Sequence, residues 1–197
     1  MMPVFATNRI DLYLFQISSA IWFIPELLST LTKDRARNAQ TYDRASGFVL
    51  MICIYAGIFL GLLTSFTAYR FAIPWDRMLI FRTGIFLILV GVVFRWYAIW
   101  VLGKFFTRVV SIQPGQTVIE RGPYRYIRHP SYSGAMLSFL GFGLALTNWL
   151  SLGLVLLGTV TGYGYRVHVE EEALTEGLGQ AYRDYMQRTK RFIPFVF

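Results

Sequence analysis

Long stretches without a charged residue alternate along this chain with short polar segments. Residues 45–69 and 131–165 carry no charge, which makes runs of 25 and 35 residues. Runs of about 18 or more mainly apolar residues are typical of helices that cross a membrane. Two further apolar stretches, at about 10–31 and 78–102, lie on either side of the first run. The pattern predicts an all-α integral membrane protein.

The 35-residue run is too long for one crossing. A straight helix of that length would extend about 52 Å, whereas the hydrocarbon core is about 30 Å thick. Asn148 lies at its midpoint, so we predict a tight antiparallel hairpin that turns there. Small residues at helical spacing are expected to draw its two helices together. They are Gly134, Ser138, Gly141 and Ala145 in the first helix, and Gly158 and Gly162 in the second.

The spans then number about five, and residues 1–197 form a single membrane domain. Residues 1–102 hold the first three spans, and 103–197 hold a polar loop, the hairpin and the C-terminal helices. The helix that leaves the hairpin is expected to break at Gly177 and Gly179. A last, amphipathic helix beginning at Gln180 would lie either on the membrane surface or over the polar loop.

Composition supports a membrane class and excludes some kinds of site. The chain is 55% hydrophobic and 15% charged, with a mean hydropathy of +0.46, whereas soluble domains are about 25% charged. Cys53 is the single cysteine and there are two histidines, so an internal disulfide is excluded and no metal site is predicted.

The net charge of +8 is read as a membrane orientation signal rather than as a nucleic-acid interface. Fourteen basic residues follow spans one, three and five, three lie on the other side, and two fall within the third span. The excess places the C-terminus and the polar loop in the cytoplasm. The fourteen are Lys33, Arg35, Arg37, Arg44, Lys104, Arg108, Arg121, Arg125, Arg128, Arg166, Arg183, Arg188, Lys190 and Arg191.

Charged residues inside apolar spans need a partner or a wet cavity. Glu26 follows Pro25 in the first span, where it could face the interface, pair with a cation or take part in function. Arg95 lies deep in the third span. It fits either a structural ion pair or the edge of a polar site, and the sequence leaves both open.

Two polar clusters, 120–134 and 166–172, bracket the predicted hairpin and would therefore meet at one membrane face. Arg166 and Glu170 lie one helical turn apart, which suits a boundary ion pair or a site. The adjacent carboxylates of 170–172 repel one another unless cations face them. A ligand's ammonium group or the arginines of the facing loop would serve, namely Arg121, Arg125 and Arg128.

The combined order of these motifs is specific. It runs Gly-Pro-Tyr-x-Tyr-x-Arg-His-Pro-x-Tyr-x-Gly at 122–134, then the hairpin, then Arg-x-x-x-Glu-Glu-Glu at 166–172 and Tyr-x-x-Tyr at 182–185. This order resembles the isoprenylcysteine carboxyl methyltransferase family over about 103–194. Related motifs occur in membrane phospholipid N-methyltransferases.

The resemblance implies S-adenosyl-L-methionine as the cofactor. By their match to the family's motifs, ten residues would bind it, although Gln116 departs from the histidine that the family often has there. Arg166 would be the catalytic residue, gripping the carboxylate of the acceptor substrate. The ten are Gln116, Thr117, Val118, Ile119, Tyr124, His129, Pro130, Ser131, Tyr132 and Glu170.

The expected activity is methyl transfer to the carboxylate of a prenylated cysteine, or of a similar lipidic acceptor, at the cytoplasmic membrane face. Membrane lipids are expected neighbours, and nucleic acid is not an expected partner. One alternative is an enzyme of the same fold that methylates an amine or thiol head group. Another is a non-catalytic protein whose basic loops contact anionic lipid. The sequence does not determine the oligomeric state.

Overall fold

The computed structural model describes residues 1–31, 40–43 and 45–193, without the side chains of 29–31, 40 and 41. Most of the basic loop after the first span, with Lys33, Arg35, Arg37 and Arg44, lies outside the described residues. Six helices dominate the described part. They are α1 (Arg9–Leu31), α2 (Ser46–Thr67), α3 (Arg77–Leu102), α4 (Pro130–Ala145), α5 (Trp149–Leu178) and α6 (Gln180–Arg188).

The fold is not purely helical, which corrects the all-α prediction in one detail. Two short strands, β1 (Gln40–Thr41) and β2 (Ser111–Ile112), pair antiparallel. They join the segment before α2 to the polar loop after α3. The pairing gives backbone N–H and C=O groups in these connections the partners that a helix would otherwise supply.

The surface of α2 and α3 is apolar. Phe48 and Phe59 on α2 are 63% and 66% exposed, and Trp100 on α3 is 76% exposed. Two segments of the described chain, Ser46–Thr67 and Arg77–Phe105, are long and apolar enough to cross a membrane. Apolar surface of this extent is unfavourable in water and indicates contact with lipid.

The chain passes from α4 to α5 at Asn148, the residue singled out in the sequence. Asn148 caps α5, because its Oδ1 accepts a hydrogen bond from the Ser151 backbone N–H at 3.1 Å. Its Nδ2 donates to the Ala68 carbonyl at 3.0 Å, which fixes the turn against the end of α2.

The small residues of α4 and α5 do not face each other, so that prediction was wrong. A Cβ added to Gly141 of α4 would lie 2.5 Å from the Gly84 carbonyl oxygen of α3. A Cβ on Gly158 of α5 would overlap the Cys53 carbonyl of α2. The tightest helix pairs are therefore α3 with α4 and α2 with α5. A helix face made of small residues lets another backbone approach closely, but it does not specify which helix packs there. The next helix in the sequence is therefore not necessarily the partner.

Arg95 and Glu26 form an ion pair between α3 and α1. Both Nε and Nη2 of Arg95 donate to the Glu26 carboxylate, the second at 3.0 Å. Arg95 Nη1 also donates to the Ser131 carbonyl at 3.1 Å, in the first turn of α4. The ion-pair interpretation of Arg95 is therefore confirmed, and the same guanidinium also holds the first turn of α4.

Helix α5 continues to Leu178, two residues beyond the predicted end, and Gly177 does not break it. A Cβ on Gly177 would lie 2.7 Å from Ile112 of β2, so this glycine allows a close approach rather than a turn. Gly179, with φ +60°, ends the helix. Left-handed backbone of this kind favours glycine at helix C-termini.

The α3–α4 contact predicts different effects for two glycine substitutions. Gly141→Ala places a methyl group against the α3 backbone, and overpacking of this kind costs about 1–3 kcal/mol. Gly153→Ala is the matched control, since nothing lies within 4 Å of its Cβ position. The control should be neutral or stabilising by up to about 1 kcal/mol, because alanine has the higher helix propensity. Thermal unfolding in detergent measures both, and equal unfolding temperatures would contradict the described contact.

Candidate functional site

The polar loop between α3 and α4 is folded under helix α6. Gly122–Arg125 form a single 3-10 turn that buries Tyr124. The Tyr185 hydroxyl of α6 donates to the Tyr124 carbonyl at 2.7 Å, and both Tyr182 and Tyr185 are 3% exposed. The sequence allowed α6 to lie either on the membrane surface or over the polar loop. The tyrosine face of α6 lies over the loop.

A cavity lies between this loop, the end of α3, α5 and α6. Its empty space, counted together with the solvent at its open mouth, amounts to about 670 Å³. Nine of the ten residues with an implied cofactor role line it. They are Gln116, Thr117, Val118, Ile119, Tyr124, His129, Ser131, Tyr132 and Glu170. Pro130 is instead buried as the first residue of α4.

Glu171 joins three parts of the chain beneath this cavity. Its carboxylate accepts hydrogen bonds from Arg128 Nε at 2.9 Å and Arg191 Nη2 at 2.8 Å, and His129 Nε2 lies 3.3 Å from Oε1. Burial by itself would raise the pKa of the Glu171 carboxyl. The hydrogen bonds from His129, Arg191 and Arg128 outweigh it and lower that pKa to about 2.

The three adjacent carboxylates have different partners, which corrects the expectation of one facing arginine cluster. Glu172 pairs with His168 at 3.2 Å, one helical turn away. Arg121 donates instead to the Val101 carbonyl. Arg125 lies over the Tyr126 ring. Only Arg128 of the three expected arginines reaches a carboxylate among the described contacts.

The segment after α6 is bound along the His-Pro motif. The backbone N–H groups of Arg128 and His129 donate to the carbonyls of Lys190 and Arg191, at 2.7 and 3.1 Å. Ser133 Oγ donates to the Phe192 carbonyl at 2.7 Å. Sequence reasoning missed this segment because no local pattern relates residues about sixty positions apart.

Tyr132 separates the cavity from Arg166. Its hydroxyl donates to Glu170 Oε2 at 2.6 Å, and its ring stacks on the His129 ring with 5.6 Å between centroids. The Arg166 guanidinium lies near the same hydroxyl. Tyr132 is therefore a neighbour of both Glu170 and Arg166.

Arg166 is 3% exposed and lies outside the cavity lining. The one-turn spacing of Arg166 and Glu170 suggested an ion pair between them, but the guanidinium has other partners. Its Nη1 instead donates to the Asp43 carboxylate and to Ser46 Oγ, the latter at 2.7 Å, and its Nη2 donates to the Arg108 carbonyl. Asp43 precedes Arg166 by 123 residues, and no sequence signal points to this partner.

Some of the other residues that line the cavity could have been predicted from their spacing in the sequence. Leu174 and Leu178 follow Glu170 by one and two helical turns, so they share its face. Tyr182 and Tyr185 were noted for their spacing but had no role. The Tyr182 hydroxyl is buried and has no hydrogen-bond partner within the described part of the chain. Phe105 and Phe106 complete the wall after α3, at the end of the short 3-10 helix Gly103–Phe105, and no sequence motif marks them.

Comparison with known proteins finds one similar family. Residues 84–176 match the model of the isoprenylcysteine carboxyl methyltransferase (ICMT) family. A probable protein-S-isoprenylcysteine O-methyltransferase of Oryza sativa is 31% identical over 115 residues, which cover 57% of this chain and 60% of the rice protein. The protein-S-isoprenylcysteine O-methyltransferase of Saccharomyces cerevisiae is 27% identical over 161 residues, or 81% of this chain and 65% of the yeast protein.

A solved structure shares the fold. The structure of the eukaryotic intramembrane Ras methyltransferase ICMT matches with a TM-score of 0.56 and 27% identity, covering 76% of this chain and 52% of that one. The chain thus spans about three fifths of the rice relative and about half of the solved chain. In its matched motifs, its fold and these relatives, the chain is similar to the isoprenylcysteine carboxyl methyltransferase family.

Proposed function

We propose that this protein is an S-adenosylmethionine-dependent methyltransferase that esterifies the carboxylate of a prenylated cysteine or a similar lipidic acceptor. The observation that carries the proposal is that nine residues with an implied cofactor role line one and the same cavity. The relatives are named for O-methyl transfer to isoprenylcysteine. That specificity makes the amine or thiol alternative the less favoured one.

The residues of the cavity fit the proposed cofactor. Glu170 offers a carboxylate to an ammonium group, and Tyr124 and Tyr132 offer aromatic surface to a purine or a sulfonium. The stretch 116–119 would contribute backbone groups to the adenosine part. Bound S-adenosylmethionine would supply a methyl group activated by its sulfonium.

Arg166 would hold the acceptor carboxylate in its planar fork, which suits bidentate binding. That fork currently binds Asp43, so an acceptor carboxylate of the same charge would replace the Asp43 side chain. Tyr132 would then lie beside the acceptor and the cofactor, because an acceptor carboxylate oxygen must reach the methyl carbon directly and displace S-adenosylhomocysteine as the leaving group. A carboxylate is ionised at neutral pH, so no side chain needs to remove a proton. The contribution of the chain is positioning, which by itself can supply large effective molarities.

The proposed membrane arrangement has α1 to α5 crossing the bilayer, with α4 and α5 as the hairpin. The site would lie at the cytoplasmic face, where the basic loops are, with α6 covering it there. α4 has 16 residues and is therefore about 24 Å long, whereas the 30 residues of α5 extend about 45 Å. The surplus length would carry the end of α5, with Arg166 and Glu170, to the membrane surface. A lipidic acceptor and a water-soluble cofactor can both reach such a site.

Loss of the Glu170 charge should weaken cofactor binding. Glu170→Gln keeps the size of the side chain but removes the anion proposed to bind the ammonium. We expect a loss of affinity for S-adenosylhomocysteine of about 10- to 100-fold, as for a charged hydrogen bond. Isothermal titration of the purified protein measures it. Glu172→Gln is the matched control, because Glu172 pairs with His168 outside the cavity. Equal affinity in wild type and Glu170→Gln would remove Glu170 from the site.

Arg166→Lys should separate acceptor binding from cofactor binding. Lysine keeps the charge that Asp43 needs but lacks the planar fork, so S-adenosylhomocysteine affinity should persist. Methylation of N-acetyl-S-farnesylcysteine should fall by at least about 100-fold, because a mispositioned acceptor loses effective molarity. Radiolabelled methyl transfer reports the activity, and binding of S-adenosylhomocysteine confirms the fold. Unchanged turnover would exclude the proposed grip and favour an amine or thiol acceptor.

Glu171 should make stability depend on pH. Its pKa is about 2 in the folded protein and about 4.3 in an unfolded chain, which corresponds to about 3 kcal/mol of stabilisation. Because the folded pKa is the lower one, this stabilisation is complete above about pH 5 and declines as the pH falls towards about 2. Glu171→Gln should lower the unfolding temperature by roughly 6–12 °C near pH 7. The gap to wild type should narrow as the pH is lowered, and a gap independent of pH would contradict the assignment.

A further inference from the structure

The Tyr182 hydroxyl is a buried polar group without a hydrogen-bond partner among the described residues. Its residue is 3% exposed and lines the cavity. Leaving a buried hydroxyl unsatisfied costs about 1–3 kcal/mol, so such groups are rare and call for an explanation. A ligand in the cavity would supply the missing partner.

Tyr182 differs in this respect from the other tyrosines of the cavity. Tyr132 donates to Glu170, and Tyr185 donates to the Tyr124 carbonyl. The Tyr124 hydroxyl lies near Ser131. Among the described residues, Tyr182 is the cavity tyrosine whose hydroxyl is buried without a hydrogen-bond partner.

The surroundings of Tyr182 make it a hydrogen-bond donor. Burial and the neighbouring carboxylates of Glu170 and Glu171 raise its pKa, so the phenol keeps its proton. The Glu171 carboxylate is already bound by Arg128, Arg191 and His129. Tyr182 lies near both carboxylates but donates to neither, so its proton is free for a bound molecule.

The amino-acid end of the proposed cofactor carries an ammonium and a carboxylate. Glu170 would bind the ammonium, and the carboxylate on the same carbon then needs a donor close to Glu170, where the Tyr182 hydroxyl lies. Arg128 is committed to Glu171 and to the carbonyls of Met186 and Thr189. Arg191 is likewise bound to Glu171.

We infer that the Tyr182 hydroxyl donates a hydrogen bond to the carboxylate of the cofactor's methionyl end. This inference rests on the proposed function, and it gives helix α6 a direct contact with the bound molecule. Tyr182 would make the site select adenosyl compounds that carry a complete amino acid over those that lack the carboxylate. Helix α6 would thereby recognise the amino-acid end of the cofactor, which is opposite to its adenine.

Tyr182→Phe tests the inference, because it removes the hydroxyl and keeps the ring. Two ligands are titrated against the purified full chain in detergent, S-adenosylhomocysteine and its decarboxylated analogue. Affinity for S-adenosylhomocysteine should fall about 10- to 100-fold, and affinity for the analogue should change by less than about twofold. The unfolding temperature of the ligand-free variant should be unchanged or higher, since an unsatisfied buried group is removed. Tyr165→Phe, which changes an exposed side chain outside the cavity, should alter the affinity for neither ligand.

Three outcomes would overturn the inference. Equal affinity of wild type and Tyr182→Phe for S-adenosylhomocysteine would show that the hydroxyl makes no contact. An equal loss for both ligands would place the contact elsewhere on the molecule or make Tyr182 structural, and a lower unfolding temperature would identify the structural role. A wild-type protein that binds neither ligand would instead refute the proposed function and the inference with it.

Discussion

The arrangement of the site depends on the charge network around Glu171. One buried carboxylate holds Arg128 and His129 of the loop and Arg191 of the C-terminal segment, while its own backbone belongs to α5. A buried carboxylate is costly unless several donors satisfy it. These donors must therefore stay next to Glu171, which holds the polar loop and the segment after α6 against α5. The cavity lies above this junction.

Helix packing places that junction. The close approach of Gly141 to Gly84 joins α4 to α3, and that of Gly158 to Cys53 joins α5 to α2. Arg95 extends the first pair to α1 through Glu26 and also binds the first turn of α4 at Ser131. A charge that would be unfavourable in an apolar span thus connects the membrane helices to the segment that begins with the His-Pro motif. This is a physical reason for an arginine in that span.

Tyr132 divides the site into two parts with different chemistry. On one side Glu170, Tyr182 and the loop surround the cavity, and on the other the buried guanidinium of Arg166 binds a carboxylate. The carboxylate present is that of Asp43, a group of the same chemistry as the proposed acceptor. The Tyr132 hydroxyl donates to Glu170 and lies near the Arg166 guanidinium, so this tyrosine adjoins both charged groups.

The sequence by itself determined the helical class, the turn at Asn148 and nine of the eighteen residues that line the cavity, because run length, capping chemistry and motif order are local properties. The number of crossings and the cytoplasmic orientation remain predictions from the same patterns. Only the tertiary structure decided that the small-residue stripes meet α3 and α2, that Arg166 binds Asp43, and that Arg191 reaches Glu171. These pairs join residues from 20 to 123 positions apart. Which of several chemically equivalent partners a charge or a groove receives depends on how the helices pack, and no local pattern carries that information.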